Sequence, residues 1–275
     1  MKYRTYIIAL IAVAVIGCGK DKEPGPPGPT AFSPTPYDLD IPSYFPPMPI
    51  PPDNPTTVEG VELGRYLFYE EMLSGDNTQS CGSCHAAAYA FTDNGQQFST
   101  GIDGIQGDRN SMALINLGWG QFFFWDGRAA TLEDQVLEPV VNPIEMHETW
   151  PNAVAKLQAN AAYRDLFHAA FGTYEPDSLL AAKAIAQFLR TMISKNSKYD
   201  KVKRFEEAFT SDEAQGFFLF ESEGGLPPLV PGGQGGADCF HCHNASGSLF
   251  TDEQMHNNGL DSVFSDLGYG GVTGL

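Results

Sequence analysis

Basic residues are scarce in this 275-residue chain: 16 Lys and Arg stand against 34 Asp and Glu, for a formal charge of −18. Phosphate backbones are gripped by clustered Lys and Arg, so a nucleic-acid partner is excluded. A basic redox protein would suit the acidic surface, although acidic excess also simply keeps an exported chain in solution. Cysteine is sparse too, five residues in all, and the patterns below leave none for a disulfide. Alternating apolar and polar residues, the mark of a half-buried strand, are almost absent, so the fold is expected to be mostly α. Long apolar runs are lacking as well. The stretch from Tyr6 to Ile16 is too short to span a bilayer as a mature helix. Hydrophobic residues nevertheless make up 42% of the chain, enough for a packed core and against wholesale disorder.

Lys2 and Arg4 ahead of that apolar stretch form the positive start of an export signal. It ends in Val15-Ile16-Gly17-Cys18, which resembles the lipobox of bacterial lipoproteins. That resemblance implies cleavage before Cys18, lipid on its thiol, and a protein anchored in the cell envelope facing the periplasm. Residues 1–17 are then the signal peptide. Residues 18–55, with Pro24-Gly25-Pro26-Pro27 and Phe45-Pro46-Pro47-Met48-Pro49, are expected to be an extended tether.

Helical patterning starts at Val58, with Val61, Gly64, Leu67 and Phe68 on one face, and stops at Ser74-Gly75-Asp76-Asn77. Thr149 reads as an N-cap for 150–159, and Gly172 as the glycine closing a helix over 161–170. Asp177 or Ser178 opens a long helix to about 194, with Leu179, Ala182, Ile185, Ala186, Leu189 and Ile193 expected on its buried face. Thr210 with Glu213 forms a capping box for a helix running to Glu221.

Cys81-Gly82-Ser83-Cys84-His85 and Cys239-Phe240-His241-Cys242-His243 are both C-x-x-C-H. Two intervening residues space the sulfurs for the two vinyl groups on one haem edge, and the following His supplies the proximal ligand to iron. A four-cysteine zinc module needs its pairs close together; here they lie 239 − 81 = 158 positions apart. A thioredoxin-type pair needs neither the His nor this helical context. Two covalently bound haems c follow, one in a module of about 56–205 and one in a module starting near 206 and running to 275. No sequence repeat is evident beyond the haem motif itself.

The residues around these motifs resemble those of bacterial di-haem cytochrome c peroxidases. Leu63-Gly64-Arg65-Tyr66-Leu67-Phe68, Leu73-Ser74-Gly75-Asp76, Ala90-Phe91-Thr92-Asp93, Arg109-Asn110, Phe124-Trp125-Asp126-Gly127-Arg128, Asn142-Pro143-Ile144-Glu145-Met146 and Phe250-Thr251-Asp252 carry the likeness. It implies two cytochrome c-like domains packed against each other and reduction of hydrogen peroxide at the His85 haem. Glu145 would be the acid/base on the open face, with Gln135 lining the same pocket. Trp125 would help electrons cross from the His243 haem, which a small cytochrome c or cupredoxin supplies. Asn110 matches a calcium ligand between the two domains, and a homodimer is among the expected partners. On residues alone, Glu145 reads as a surface or capping carboxylate and Phe122 to Trp125 as plain core.

Two departures stand out. Family members carry a His ahead of the Arg-Asn position that blocks the first iron at rest. Gly101-Ile102-Asp103-Gly104-Ile105-Gln106-Gly107 has none, so no reductive activation is expected. The sequence also ends at Leu275, before the usual sixth ligand of the second haem, and reads as a truncated second domain. Met255, His256, His147 and His168 read as surface or loop residues, the last two on helices. The group also contains the methylamine-dehydrogenase maturation enzyme, so oxidation of a partner protein is the alternative activity. A plain di-haem electron carrier is the third reading.

Overall fold

The described part of the chain holds nine α-helices and four short 3-10 turns, and its only β pairing is isolated bridges. The computed structural model describes residues 32–226, 234–257 and 259–274. The segment expected to be an export signal, Cys18 and residues 227–233 therefore lie outside the described residues. The fold is mostly α, as the missing strand pattern requires, and no described helix is long and apolar enough to cross a membrane.

The core is built on α1 (Val58–Phe68) and α6 (Ser178–Arg190). Thr57 caps α1 by accepting from Gly60 N, and Asp177 caps α6 by accepting from Leu180 N. Ala181, Ala182, Ala184 and Ala186 keep the buried face of α6 shallow. α1 lays Gly60 and Gly64 against it so closely that a Cβ on Gly64 would stand 1.9 Å from the Ala184 carbonyl oxygen. Leu63, Leu67 and Phe68 fill the space beside that contact. Val61 is only half-buried, so the inward stripe of α1 sits slightly off the expected register. Leu179 is 62% exposed rather than buried. It lies in the first turn of α6, where the helix has not yet met its neighbours.

The remaining helices flank this pair. α2 (Cys81–Cys84) is one turn; α3 (Leu132–Val141), α4 (Trp150–Ala159) and α5 (Ala161–Phe171) follow, the last closed by Gly172 in the left-handed conformation. α7 (Lys198–Lys203) and α8 (Ser211–Phe220) each begin with a capping box, on Ser197 with Asp200 and Thr210 with Glu213. α9 (Tyr269–Thr273) ends the described chain.

Within the expected tether, residues 32–55 form no helix or named strand, but they are docked rather than free. Phe45 and Met48 are buried with Trp119, whose indole nitrogen donates to the Pro46 carbonyl at 3.0 Å. Backbone bonds from Tyr37 N to Thr56 O and from Val58 N to Thr35 O tie the segment to the start of α1. Aromatic side chains between the prolines supply this apolar adhesion; proline count alone does not reveal it.

Asn54, in the same segment, joins a buried polar network. Its amide donates to Glu133 at 2.6 Å and accepts from Gln187 at 2.8 Å. Glu133 also receives Arg190, which is only 4% exposed, through two bonds of 2.8 and 3.1 Å. Burial by itself would raise the Glu133 pKa, but hydrogen bonds from Arg190 and Asn54 outweigh it and hold the carboxyl below its ordinary range. The stability this pair contributes is therefore present at neutral pH and lost as pH falls through the depressed value. Glu133→Ala strands a buried guanidinium, and urea unfolding should show a loss of about 3–5 kcal/mol.

Candidate haem sites

Cys81 and Cys84 open and close the single turn of α2, so both sulfurs leave one side of it, and His85 follows as its cap. The turn lies against Tyr69: a Cβ on Gly82 would meet that ring at 2.5 Å. The His85 imidazole is fixed from behind. Its Nδ1 donates to the Phe91 carbonyl at 2.8 Å, which leaves Nε2 as the basic nitrogen for a metal. Ser111 Oγ, 3.0 Å from the Cys84 carbonyl, packs beside the ring. Phe91 adopts a left-handed backbone with φ +58°, which turns its carbonyl toward the imidazole.

In front of these groups lies a cavity of about 220 Å³. Cys81, Cys84, His85, Gln135, Glu145 and Trp125 all line it, and Arg109 and Asn110 stand at its rim. Phe68 from α1, Val136 and Val140 from α3, and Ile185 and Leu189 from α6 give it apolar walls. Burial pushes the Cys81 thiol up to about 12 and raises Cys84 as well. As free groups they would remain thiols, the opposite of a reactive or zinc-binding thiolate pair. The four described cysteines form no disulfide. Apolar walls, paired thiols on one turn and a pre-aimed imidazole fit a covalently held macrocycle.

Glu145 is placed by the end of α3. Amides of the following turn take the last carbonyls of that helix: Met146 N bonds Pro139 O, and Glu148 N bonds Val140 O. Asn142 then donates from its side chain to Glu145 Oε1 at 2.6 Å. Burial raises the Glu145 pKa, with the Asn142 bond and the charge of Arg128 opposing. Glu145 is thus no surface carboxylate but a half-buried one that holds a proton more tightly than usual, facing the cavity. The loop 101–107 folds onto this turn through Ile102 N to Glu145 O at 3.0 Å. A Cβ on Gly101 would lie 2.2 Å from the Ile144 carbonyl, so only glycine permits the approach.

Trp125 is 56% exposed, which overturns the core reading for it, whereas Phe123 in the same run is buried. The Trp125 indole nitrogen donates to the Asn110 backbone carbonyl at 2.7 Å, and the Asn110 amide donates to Gln96 O at 2.6 Å. Arg109, beside it, reaches Asp126 and forms a two-pronged pair with Asp266, both bonds 2.8 Å. The clamp ties the last described segment to the Trp125 loop, where Tyr269 also packs on Phe122. Neither Asp126 nor Asp266 is singled out by motif, because nothing local marks two acids 140 positions apart as sharing one Arg.

The second motif repeats the first. Cys239–His241 forms a 3-10 turn, and His243 Nδ1 donates to the Phe250 carbonyl at 3.0 Å. Phe250 has φ +56°, matching Phe91. Phe250 packs edge-on to Phe220 at the end of α8, as Phe91 does to Phe68 at the end of α1. The repeat thus extends beyond C-x-x-C-H. It comprises a Thr-capped helix ending Gly-x-x-Leu-Phe (Gly64 to Phe68, Gly216 to Phe220), the haem motif, and then Phe-Thr-Asp. Those short identities were the available signal; unequal spacers hid them. Unlike His85, His243 is exposed, as are Met255 and His256. His147 sits in a turn rather than on a helix, with φ +43°, and pairs with Asp103 at 2.5 Å. His168 is on α5, stacked on Tyr174 at 4.0 Å.

The sequence profile of the family described as di-haem cytochrome c peroxidase matches residues 58–208, more than half of the chain, and the chain belongs to that family. Relatives include the methylamine utilization protein MauG of Methylorubrum extorquens, 35% identical over 81% of this chain and 59% of its own length. The cytochrome c peroxidase Ccp of Escherichia coli is 36% identical over 64% of this chain and 38% of its own. A crystal structure of a MauG-like protein associated with microbial copper homeostasis superposes with a TM-score of 0.75. It is 34% identical and covers 86% of this chain and 71% of that one. The chain spans 59% and 62% of the length of the two MauG relatives it matches first.

Proposed function

We propose that the protein reduces hydrogen peroxide to water at the Cys81–Cys84–His85 cavity, with electrons from a small cytochrome c or cupredoxin. The observation that carries this reading is Glu145, a carboxyl of raised proton affinity facing the cavity that His85 backs. When bound, haem supplies the iron that takes up peroxide and the redox equivalents for its reduction. Two electrons and two protons turn one peroxide into two waters. Glu145 can accept the proton of the incoming peroxide and return it to the departing oxygen, which otherwise leaves as hydroxide. Asn142 orients the carboxylate from one side, and Gln135 presents an amide to the same space. Residues 56–205 would form the peroxide-reacting module and 206–275 the electron-accepting one. A calcium ion at Asn110, lipid on Cys18 and a periplasmic address belong to the same proposal. The test is oxidation of reduced cytochrome c by peroxide with the haem-loaded protein; no turnover with both haems present would sink it.

Oxidation of a partner protein is the second reading, favoured by the exposed Trp125 on the cavity rim and by the likeness to MauG. In either case Trp125 is the residue through which electrons would reach or leave the cavity. Trp125→Phe is expected to slow turnover about tenfold, equivalent to roughly 1.4 kcal/mol of barrier, with haem content unchanged. Stopped-flow oxidation of the donor measures it. Because loop 101–107 has no His, turnover should also begin without prior reduction. A lag that a reductant removes would contradict this.

A further inference from the structure

Away from the cavity, three ligand-type side chains converge beside the second cysteine pair. Glu223, Asp238 and His241 each offer one donor atom, and these atoms lie within 4.8 Å of one another. His241 Nε2 stands 3.5 Å from Glu223 Oε2 and 3.8 Å from Asp238 Oδ1. Both separations exceed a good hydrogen bond. Donors bonded to one ion at about 2.0–2.2 Å are held roughly 3–3.5 Å apart; the His241–Glu223 separation matches this, and the other two must close by small side-chain adjustments when an ion binds.

Each ligand is held by surrounding structure, and the Asp238 oxygen nearest His241 also accepts a backbone bond. Asp238 takes a left-handed backbone, φ +56°, and accepts from the Gly224 amide. A Cβ on Gly224 would lie 2.2 Å from Asp238 Oδ2, so the carboxylate occupies room that only glycine leaves. The Glu223 carbonyl accepts from Gln234 N at 2.9 Å and Gly236 N at 3.0 Å, which pins its backbone. The His241 ring lies against Phe240, centroids 4.2 Å apart. Supports of this kind around a donor set are what hold a metal site in shape.

We infer that Glu223, Asp238 and His241 bind a divalent first-row transition ion through one imidazole nitrogen and two carboxylates, water completing the shell. Calcium and magnesium are matched by all-oxygen cages, so the imidazole selects against them. The competing account is a surface ion pair, which would form only when His241 is protonated.

The experiment is calorimetric titration of the haem-loaded full chain with Zn²⁺ and, separately, Cu²⁺, followed by electron paramagnetic resonance of the copper form. One equivalent per chain is expected, with hyperfine coupling to a single imidazole nitrogen. His241→Ala leaves C-x-x-C-H intact; it should weaken binding at least about tenfold and abolish the nitrogen coupling. Glu223→Gln should weaken binding and keep the coupling. Gly224→Ala should weaken it with all three ligands present, and these two variants decide the matter if His241→Ala fails to take up haem. Absence of stoichiometric binding, or binding indifferent to these changes, overturns the site and leaves an ion pair.

Discussion

Glu145→Gln is expected to lower peroxide turnover by a factor of about 10²–10⁴ while both haems remain attached. The amide keeps the shape of the side chain but can neither take nor return a proton. Donor oxidation at saturating peroxide measures the loss; a variant retaining half the rate would remove Glu145 from the chemistry. The pH profile sharpens the test. Burial raises the Glu145 pKa, so the carboxylate needed to accept the first proton is depleted as pH falls through a value above the ordinary carboxylate range. Turnover should fall on that acid limb, and the limb should be absent in the variant. The same shift has a stability sign. With its folded pKa raised, Glu145 favours the folded state most below its unfolded pKa, and that contribution is lost as pH rises through the folded value. Above the folded value the buried charge is a burden, so there Glu145→Gln should melt no lower than the parent. An activity loss without a stability loss marks a group kept for function.

The second large effect lies in the scaffold. Gly64→Val should destabilise the protein by about 3 kcal/mol or more, a large share of the roughly 5–15 kcal/mol that holds a domain folded. A Cβ at this position would meet a backbone carbonyl, that of Ala184, and then Phe188 Cβ at 3.0 Å. Neither can swing aside as the end of a long side chain would, so α1 and α6 must separate. Phe68 on α1 and Ile185 and Leu189 on α6 wall the cavity; haem loading should therefore fall together with stability. Urea unfolding and the haem-to-protein absorbance ratio read the two effects. A midpoint shift worth less than about 1 kcal/mol would mean that the crossing relaxes easily.

Helix ends were the most legible part of the fold, because caps are local chemistry. Thr149, Asp177, Gly172 and Thr210 all stand where their side chains or backbone freedom placed them. α3 carries Pro139, which in the middle of a helix would argue for a break; here it falls near the C-terminal end, where one lost backbone bond is tolerable. The site was legible to a different depth. Both haem motifs are contiguous, and resemblance supplied Glu145, Gln135 and Trp125, which the fold brings to one cavity. The Arg109 clamp and the Glu223–Asp238–His241 cluster join residues from separate segments, so only three-dimensional structure assembles them. Trp125 illustrates the limit of composition: an aromatic run suggests burial, yet the backbone turns there, with Phe124 at φ +66°, and puts the indole outside.

His85 and His243 rest on main-chain carbonyls in the same way, each presented by a phenylalanine with a left-handed backbone. A carbonyl can only accept, so both rings carry the same tautomer and leave Nε2 as the nitrogen for a metal. Any division of labour between the two halves, of the kind proposed above, therefore cannot be written behind the imidazoles. It has to be written in front of them, where one ring looks into an apolar chamber with its own proton store and the other is open to solvent. A redesign that aimed to exchange the roles of the two halves would leave both histidines alone and transplant the opposite wall.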